Sequence, residues 1–345
     1  MNKEISSITS ASRCASFALV AVLAATSAAA CGTSDASPFA NAGSSSSSSG
    51  GGGGSSSGGG SGGSSGSSSS GGGSSSSSGG GVAGGDGGTS SGGGGDAGGP
   101  GCGVTPARYI VLGHSVAACY AVGGPMSEQC ASKSVETHMA MKYPGLTYEN
   151  YAVQGALIAD VVNTQLPEVA GGAGAVFVNL FIGGNDLAAH LYEPDATATQ
   201  SWMNLEPGAM QNMNTIVSYF EDKTKFPGGA VVMVNSQYNP FDECVTSAYS
   251  YASLVKQNII KEFNADLLTK IVGTHKSAVY VENYGDVLGH GDNYNQATST
   301  TGMACPHYMA GAAGWMADLI HPNALGHEQL SKQMIAAVDL AYSCP

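Results

Sequence analysis

Charged side chains are scarce: 11% of the 345 residues are Asp, Glu, Lys or Arg, and only 12 are Lys or Arg. Nucleic-acid binding relies on clustered Lys and Arg to neutralise phosphates, and without a basic run a nucleic-acid partner is excluded. The 25 acidic residues leave a formal net charge of −13 spread along the chain, a distribution that serves solubility. There is no Cys-x-x-Cys and no His pair at ligand spacing, so no zinc or other metal site is assigned. Trp numbers 2 against 15 Tyr, and half-buried packing accounts for the Tyr residues better than carbohydrate stacking does. Apolar side chains are almost missing from one stretch: 28 Gly and 23 Ser fill the 58 positions from Gly43 to Pro100. Such a segment cannot bury enough surface to offset the entropy of ordering, which excludes a folded domain there and predicts a flexible tether.

Before the tether, Lys3 and Arg13 precede an apolar run, Ala15 to Ala25, too short to span a bilayer and followed by small residues. This is the pattern of an export signal. It ends in Ala28-Ala29-Ala30-Cys31, which resembles a bacterial lipoprotein processing box in which the Cys becomes a lipidated N-terminus, with Ala28 where Leu is usual. Ordinary cleavage just before Cys31 is the alternative. The expected organisation is a signal peptide over 1–30, a tether over 31–100 and one folded domain over 101–345. Its expected place is the outer membrane or cell surface as a lipoprotein, or else outside the cell, with the membrane touched only through the anchor. A monomer is expected.

Six cysteines remain in the exported domain, an even number in an oxidising compartment, so three disulfides are expected. Cys119 and Cys130 flank the turn-forming Gly123-Gly124-Pro125 and pair across it. Cys102 and Cys344 stand at the two ends of the domain, and domain termini often lie close together. Cys244 and Cys305 are left to pair.

Apolar, β-rich runs at Tyr109–Leu112, Leu146–Val153, Val176–Ile182, Ala230–Val234 and Ala278–Val281 alternate with helix-like stretches. The helices are predicted over Glu128–Met141, Leu157–Val169, Gly208–Phe220, Leu254–Ile271 and Ala324–Ala341. Strands apolar at successive positions are buried on both faces, and alternation with helices predicts a parallel sheet wound by right-handed crossovers. The predicted class is a three-layer α/β/α sandwich, whose crevice lies outside the carboxyl ends of the strands.

Three stretches following predicted strands or preceding the last helix can carry chemistry. Gly113-His114-Ser115 places a hydroxyl at a strand-to-helix turn, a nucleophile if a base reaches it and otherwise a helix cap. Gly183-Gly184-Asn185-Asp186 joins close backbone approach to an amide donor suited to an oxyanion, or else is a Gly-rich turn. In Asp318-Leu319-Ile320-His321-Pro322-Asn323, an Asp three residues before a His can orient the imidazole, and Asn323 can cap the last helix. The stretch Gly285–Gly311, with His290, Asp292 and His307, reads as a long loop walling the pocket rather than a Ca²⁺ site.

In this order and spacing the stretches resemble the GDSL or SGNH family of serine hydrolases across Tyr109 to Ala341. Asn150-Tyr151-Ala152-Val153-Gln154-Gly155 is similar to that family's Gly block, in which the Gly amide joins the oxyanion hole. The resemblance implies a flavodoxin-like parallel sheet, ester hydrolysis through an acyl-enzyme, and no cofactor. It implies Ser115 as nucleophile, His321 as base, Asp318 as its orienting partner, and an oxyanion hole from Ser115, Gly155 and Asn185. His114 stands where the family usually has Asp; adjacent side chains at a strand end point apart, so a hydrogen-bonding role within the turn is expected of it. The substrate class is an ester of a lipid, an acetylated polysaccharide or a small molecule. A binding module of the same fold with little turnover, or an acyltransferase, are the alternatives.

Overall fold

The computed structural model describes residues 99–191, 193–244 and 253–344. The expected signal peptide, Cys31 and the tether up to residue 98 lie outside the described residues.

Tyr109, Ile110, Val111 and Leu112 are all fully buried, although successive side chains point to opposite faces of a strand. Ile110 and Leu112 join Val178, Leu180, Val232 and Val234 in one apolar cluster, while Tyr109 and Val111 join Phe177, Phe181, Val231 and Met233 in another. A core therefore lies on each face of the sheet, and the strands read as unbroken apolar runs for that reason.

The strands are β1 (Pro106–Gly113), β2 (Thr147–Asn150), β3 (Ala175–Phe181), β4 (Ala230–Asn235) and β5 (Ala278–Val281). All pairs are parallel, in the order β2-β1-β3-β4-β5. This is the flavodoxin-like order, and its switch point lies between β1 and β3. The helices are α1 (Ala131–Lys142), α2 (Ile158–Asp160), α3 (Gly184–Leu191), α4 (Asp195–Glu221), α5 (Leu254–Asp266), α6 (Tyr284–Val287) and α7 (Ala324–Ala341). Val135 and Met139 of α1 and Leu330, Met334 and Val338 of α7 cover one face. Trp202, Met213, Ile216 and Phe220 of α4 and Ile259, Ile260 and Phe263 of α5 cover the other. Each such side chain, fully buried, contributes about 1.5–3 kcal/mol relative to exposure.

Several elements depart from expectation, among them the helix expected over Leu254–Ile271, which is α5 as far as Asp266 and a π-helical segment from Leu267 to Val272. Helix α4 begins at Asp195 rather than Gly208 and runs through Pro207. A Pro inside a helix costs about 3 kcal/mol, and burial of Ala198 and Trp202 before it, with Met210 and Met213 after it, offsets that. Helix α3 starts within the Gly-Gly-Asn-Asp stretch where a turn is the simpler reading. The single helix expected over Leu157–Val169 is three pieces: α2, a π-helical turn Val161–Gln165 and a 3₁₀ turn Leu166–Glu168 containing Pro167. Strand β2 is shorter than Leu146–Val153, although Tyr151 and Val153 still donate to the carbonyls of Val111 and Gly113.

Inside the apolar sheet runs a ladder of amides that the hydrophobic pattern concealed. Asn179 donates to the Tyr109 hydroxyl at 3.0 Å, Asn235 to Asn179 at 2.7 Å, and Asn283 to Asn235 at 3.3 Å. All three are fully buried or nearly so, and their mutual bonds offset the desolvation of amides in an apolar layer. The ladder ties β3, β4 and the segment after β5 together beneath the crevice. Among the described residues no helix is long and apolar enough to cross a membrane.

Candidate active site

Strand β1 ends at Gly113, whose φ is +139°; a Cβ there would lie 2.0 Å from the Phe181 carbonyl oxygen, so only Gly fits. The chain turns, and Ser115 follows with 5% of its surface exposed. The opposite wall is the segment before α7. Asn323 caps that helix, accepting from the Gly326 N–H at 3.0 Å, while its amide donates to the Gly314 and Met316 carbonyls. From the loop after β4, the Tyr238 hydroxyl donates to the Ile320 carbonyl at 2.6 Å. The loop bearing His321 is thus held from both sides.

Asp318 folds back on its own segment. Its Oδ1 accepts the N–H groups of Ile320 (2.9 Å) and His321 (2.8 Å), and its Oδ2 lies 2.8 Å from His321 Nδ1. Burial alone would raise the Asp318 carboxyl, but the hydrogen bonds from His321 and the two backbone N–H groups outweigh it and hold the group below its ordinary value. The ionised carboxylate fixes the proton of His321 on Nδ1. Nε2 is then a free base, and it stands 2.9 Å from Ser115 Oγ. The Tyr120 ring lies 5.1 Å from the His321 ring and is 45% exposed, at the mouth of the crevice.

The other two predicted site residues flank this line. Gly155 is exposed in the loop after β2 with φ +79°. Asn185, in the first turn of α3, donates one N–H of its amide to the Ala156 carbonyl at 2.9 Å. Next to it, Asp186 accepts the Ile158 N–H at 3.1 Å. The Asn block is stapled to the Gly block by two adjacent side chains.

A family model for GDSL-like lipases and acylhydrolases matches residues 73–334. The chain belongs to that family. The class is hydrolase, and the five-stranded parallel sheet is the fold expected of a GDSL-like acylhydrolase. Solved structures similar to it include an extracellular lipase from Streptomyces rimosus, 18% identical, covering 68% of this chain and 99% of that one with a TM-score of 0.46. A phospholipase A1 from Streptomyces albidoflavus is 16% identical, with coverages of 68% and 98% and a TM-score of 0.45. An acetylxylan esterase from Geobacillus stearothermophilus is 12% identical, with coverages of 68% and 95% and a TM-score of 0.41. No curated protein matches the chain.

This GDSL-like chain carries His114 in place of the usual Asp before the Ser, and the ring is 4% exposed. Its Nδ1 accepts the Val116 N–H at 3.3 Å, and its Nε2 faces Gln237 Oε1 at 3.3 Å. Burial pushes the imidazole down to about 4, so at neutral pH it is uncharged. His327, in the first turn of α7, is likewise pushed down to about 4 by burial, and its Nδ1 accepts the Ala131 N–H at 3.4 Å. Both neighbouring imidazoles stay neutral and neither opposes a positive charge forming on His321.

Three residues of the site's surroundings had no strong signal in the sequence. Gln165 and Tyr238 reach backbone groups far away in the chain. Gln237, two residues after β4, faces the His114 ring and donates to the Ile182 carbonyl at 2.9 Å, and so links the turn that bears Ser115 to the Gly183–Asp186 stretch. Inspecting the polar residues just past each strand would have drawn attention to Gln237.

The cysteines stand in the pairs Cys102–Cys344, Cys119–Cys130 and Cys244–Cys305, with Cα separations of 5.0, 5.4 and 5.1 Å. Gly99 and Gly101 donate to the carbonyls of Ser343 and Ala341, so the two ends of the domain run side by side. The pair Cys244–Cys305 joins the loop after β4 to the stretch Gly285–Gly311, which begins inside α6 rather than as a loop, leaves that helix after Val287 and is bridged at Thr298–Ala304. In the chain-entropy model the closures of 11 and 242 residues contribute about 3 and about 5 kcal/mol. Because Cys119 precedes Tyr120, which faces His321, replacing Cys119 and Cys130 together by Ser is expected to lower turnover more than replacing Cys102 and Cys344. The terminal pair should act mainly on the midpoint of thermal unfolding. Parallel kcat and melting measurements on the two double variants decide this, and equal loss of turnover in both would contradict it. Among the described residues no group of three or more His, Cys, Asp and Glu side chains is arranged to hold a metal ion.

Asp186 makes the stability of the fold sensitive to pH. Burial pushes its carboxyl up to about 6, against the bonds from Ile158 and its own backbone N–H and with a further upward push from Asp160. A carboxyl higher in the folded than in the unfolded chain makes the fold most stable below the unfolded value of about 3.9, and stability falls as pH rises from there through about 6. The ionised group therefore costs about 2–3 kcal/mol at pH 7. Asp186→Asn keeps an acceptor for Ile158, and is expected to stabilise the protein by about 1–3 kcal/mol at pH 7 and by less at pH 5. Urea unfolding at both pH values measures it; a variant less stable at pH 7, with the pH slope unchanged, would contradict the assignment.

Proposed function

We propose that this GDSL-like hydrolase is an exported serine esterase that cleaves carboxylic esters through an acyl-enzyme on Ser115. The observation that carries the reading is the unbroken hydrogen-bond line from Asp318 through His321 to Ser115. As Ser115 Oγ bonds to the acyl carbon, its proton passes to His321 Nε2, and Asp318 stabilises the imidazolium. The negative charge that develops on the carbonyl oxygen rests on the amides of Ser115 and Gly155 and the side chain of Asn185. The carbon–alkoxy bond then breaks, and His321 returns the proton to the leaving alcohol. Water, losing a proton to the same Nε2, attacks the acyl-enzyme and releases the acid and free Ser115.

In this reading residues 1–30 are removed as a signal peptide, Cys31 carries a lipid, and residues 31–100 tether the hydrolase domain, 101–345, to the membrane. A coil of that length and composition has a root-mean-square span of about 40 Å. The enzyme acts as a monomer on esters of lipids, acetylated polysaccharides or small molecules, without a cofactor. A panel of acyl esters of graded chain length, beside acetylated xylan and peptidoglycan, tests the reaction. Release of free acid with a rapid-quench acyl-enzyme is the expected result; acyl transfer to a sugar hydroxyl, or binding without turnover, would overturn it.

A further inference from the structure

At Gly113, the last residue of β1, one side chain takes over the backbone. Gln165 is 2% exposed, and its amide makes two bonds to the same residue: the Gly113 N–H donates to Oε1 at 2.9 Å, and Nε2 donates to the Gly113 carbonyl at 2.9 Å. The carbonyl accepts a second bond, from the Val153 N–H at 3.0 Å, two residues before Gly155. Gln165 ends the π-helical turn Val161–Gln165, which follows the three residues of α2 and passes directly into the 3₁₀ turn Leu166–Glu168. A primary amide presents the same donor and acceptor as a peptide group, so Gln165 does for Gly113 what a neighbouring strand would do. It does so at a glycine whose conformational freedom would otherwise let the following turn swing.

We propose that Gln165 is a positioning residue for the nucleophile: its amide locks the backbone of Gly113 and thereby holds Ser115, and the Gly155 loop through Val153, in register with His321. The inference rests on Ser115 being the nucleophile. A rotation of about 10° at Gly113 carries a group about 6 Å away through about 1 Å, and a misplacement of that size costs roughly 10²-fold in rate. Burial of a second amide beside the sheet, Gln237, does not duplicate this, since it bonds the His114 ring and the Ile182 carbonyl instead.

Two substitutions test the proposal in the full-length protein. Gln165→Met keeps length and volume and removes both bonds. It is expected to lower kcat by about 10- to 100-fold with KM changed less than about 2-fold, in folded enzyme counted by titration with a serine-directed phosphonate. Gln165→Glu is the discriminating variant: its protonated carboxyl can accept from the Gly113 N–H and donate to the carbonyl, whereas the carboxylate repels that carbonyl. Its kcat, relative to the wild type, is expected to recover as pH falls and to drop as pH rises, a titration missing from the wild type and from Gln165→Met. A purely structural role would lower the melting temperature of both variants and leave this pH profile unmoved. Wild-type kcat in folded Gln165→Met, or a wild-type pH profile in Gln165→Glu, would overturn the proposal. Failure of the nucleophile reading looks different: Ser115→Ala would then stay active, whatever Gln165 does.

Discussion

Replacing Ser115 or His321 by Ala is expected to lower turnover by about 10³- to 10⁶-fold each, with little further loss in the double variant. In the proposed mechanism the two act as one unit, since Ser115 Oγ would be a weak nucleophile until His321 Nε2, 2.9 Å away, takes its proton. Removing either partner removes the unit. Asp318→Ala is expected to lose less, because His321 Nε2 can still meet Ser115 for part of the time once its orienting partner is gone. Loss should appear in kcat, with substrate binding kept. Steady-state kinetics on the four variants, with the fold checked by circular dichroism, measure the pattern; additive losses in the double variant would mean that the two side chains do not act on the same step.

The next largest effect is expected at Asn185. Its amide donates one N–H to the Ala156 carbonyl, and in the proposed mechanism the other serves the oxyanion. Asn185→Ala should lower kcat by roughly 10²- to 10³-fold, about 3–4 kcal/mol, because the donor is needed mainly as charge develops on oxygen. KM should stay within a small factor. Loss of the bond to Ala156 adds to the effect by freeing the Gly155 loop, which is also held through Asp186 and Ile158. A large rise in KM with kcat preserved would assign Asn185 to substrate binding instead.

What could be read from the chain follows from how local each feature is. Strands β1, β3 and β4 stand out because burial on both faces makes them apolar at successive positions. The first half of α4 was hidden because Pro207 marks a helix start in local terms, and only the burial of Ala198 and Trp202 against the core carries the helix through it. The relation of Asp318 to His321 is visible over three residues, whereas Ser115 stands 206 residues from His321 and is linked to it in sequence only by the order of the family's blocks. The amides of Asn179, Asn235 and Asn283 look like defects in apolar runs until the sheet sets them side by side. Gln165 bonds a backbone 52 residues away, so no local pattern distinguishes it from an ordinary helix glutamine, whereas Gln237, which bonds a ring 123 residues away, is marked only by its place just past β4.

That Ser115 is the attacking group is tested most directly by covalent trapping. The protein should be incubated with a serine-directed alkyl phosphonate and analysed by intact mass and peptide mapping, beside Ser115→Ala. One phosphonyl group per chain on the peptide containing Ser115, lost in Ser115→Ala and slowed in His321→Ala, is the expected result. Stoichiometric labelling that persists in Ser115→Ala, or an unlabelled wild type that still hydrolyses esters, would contradict it.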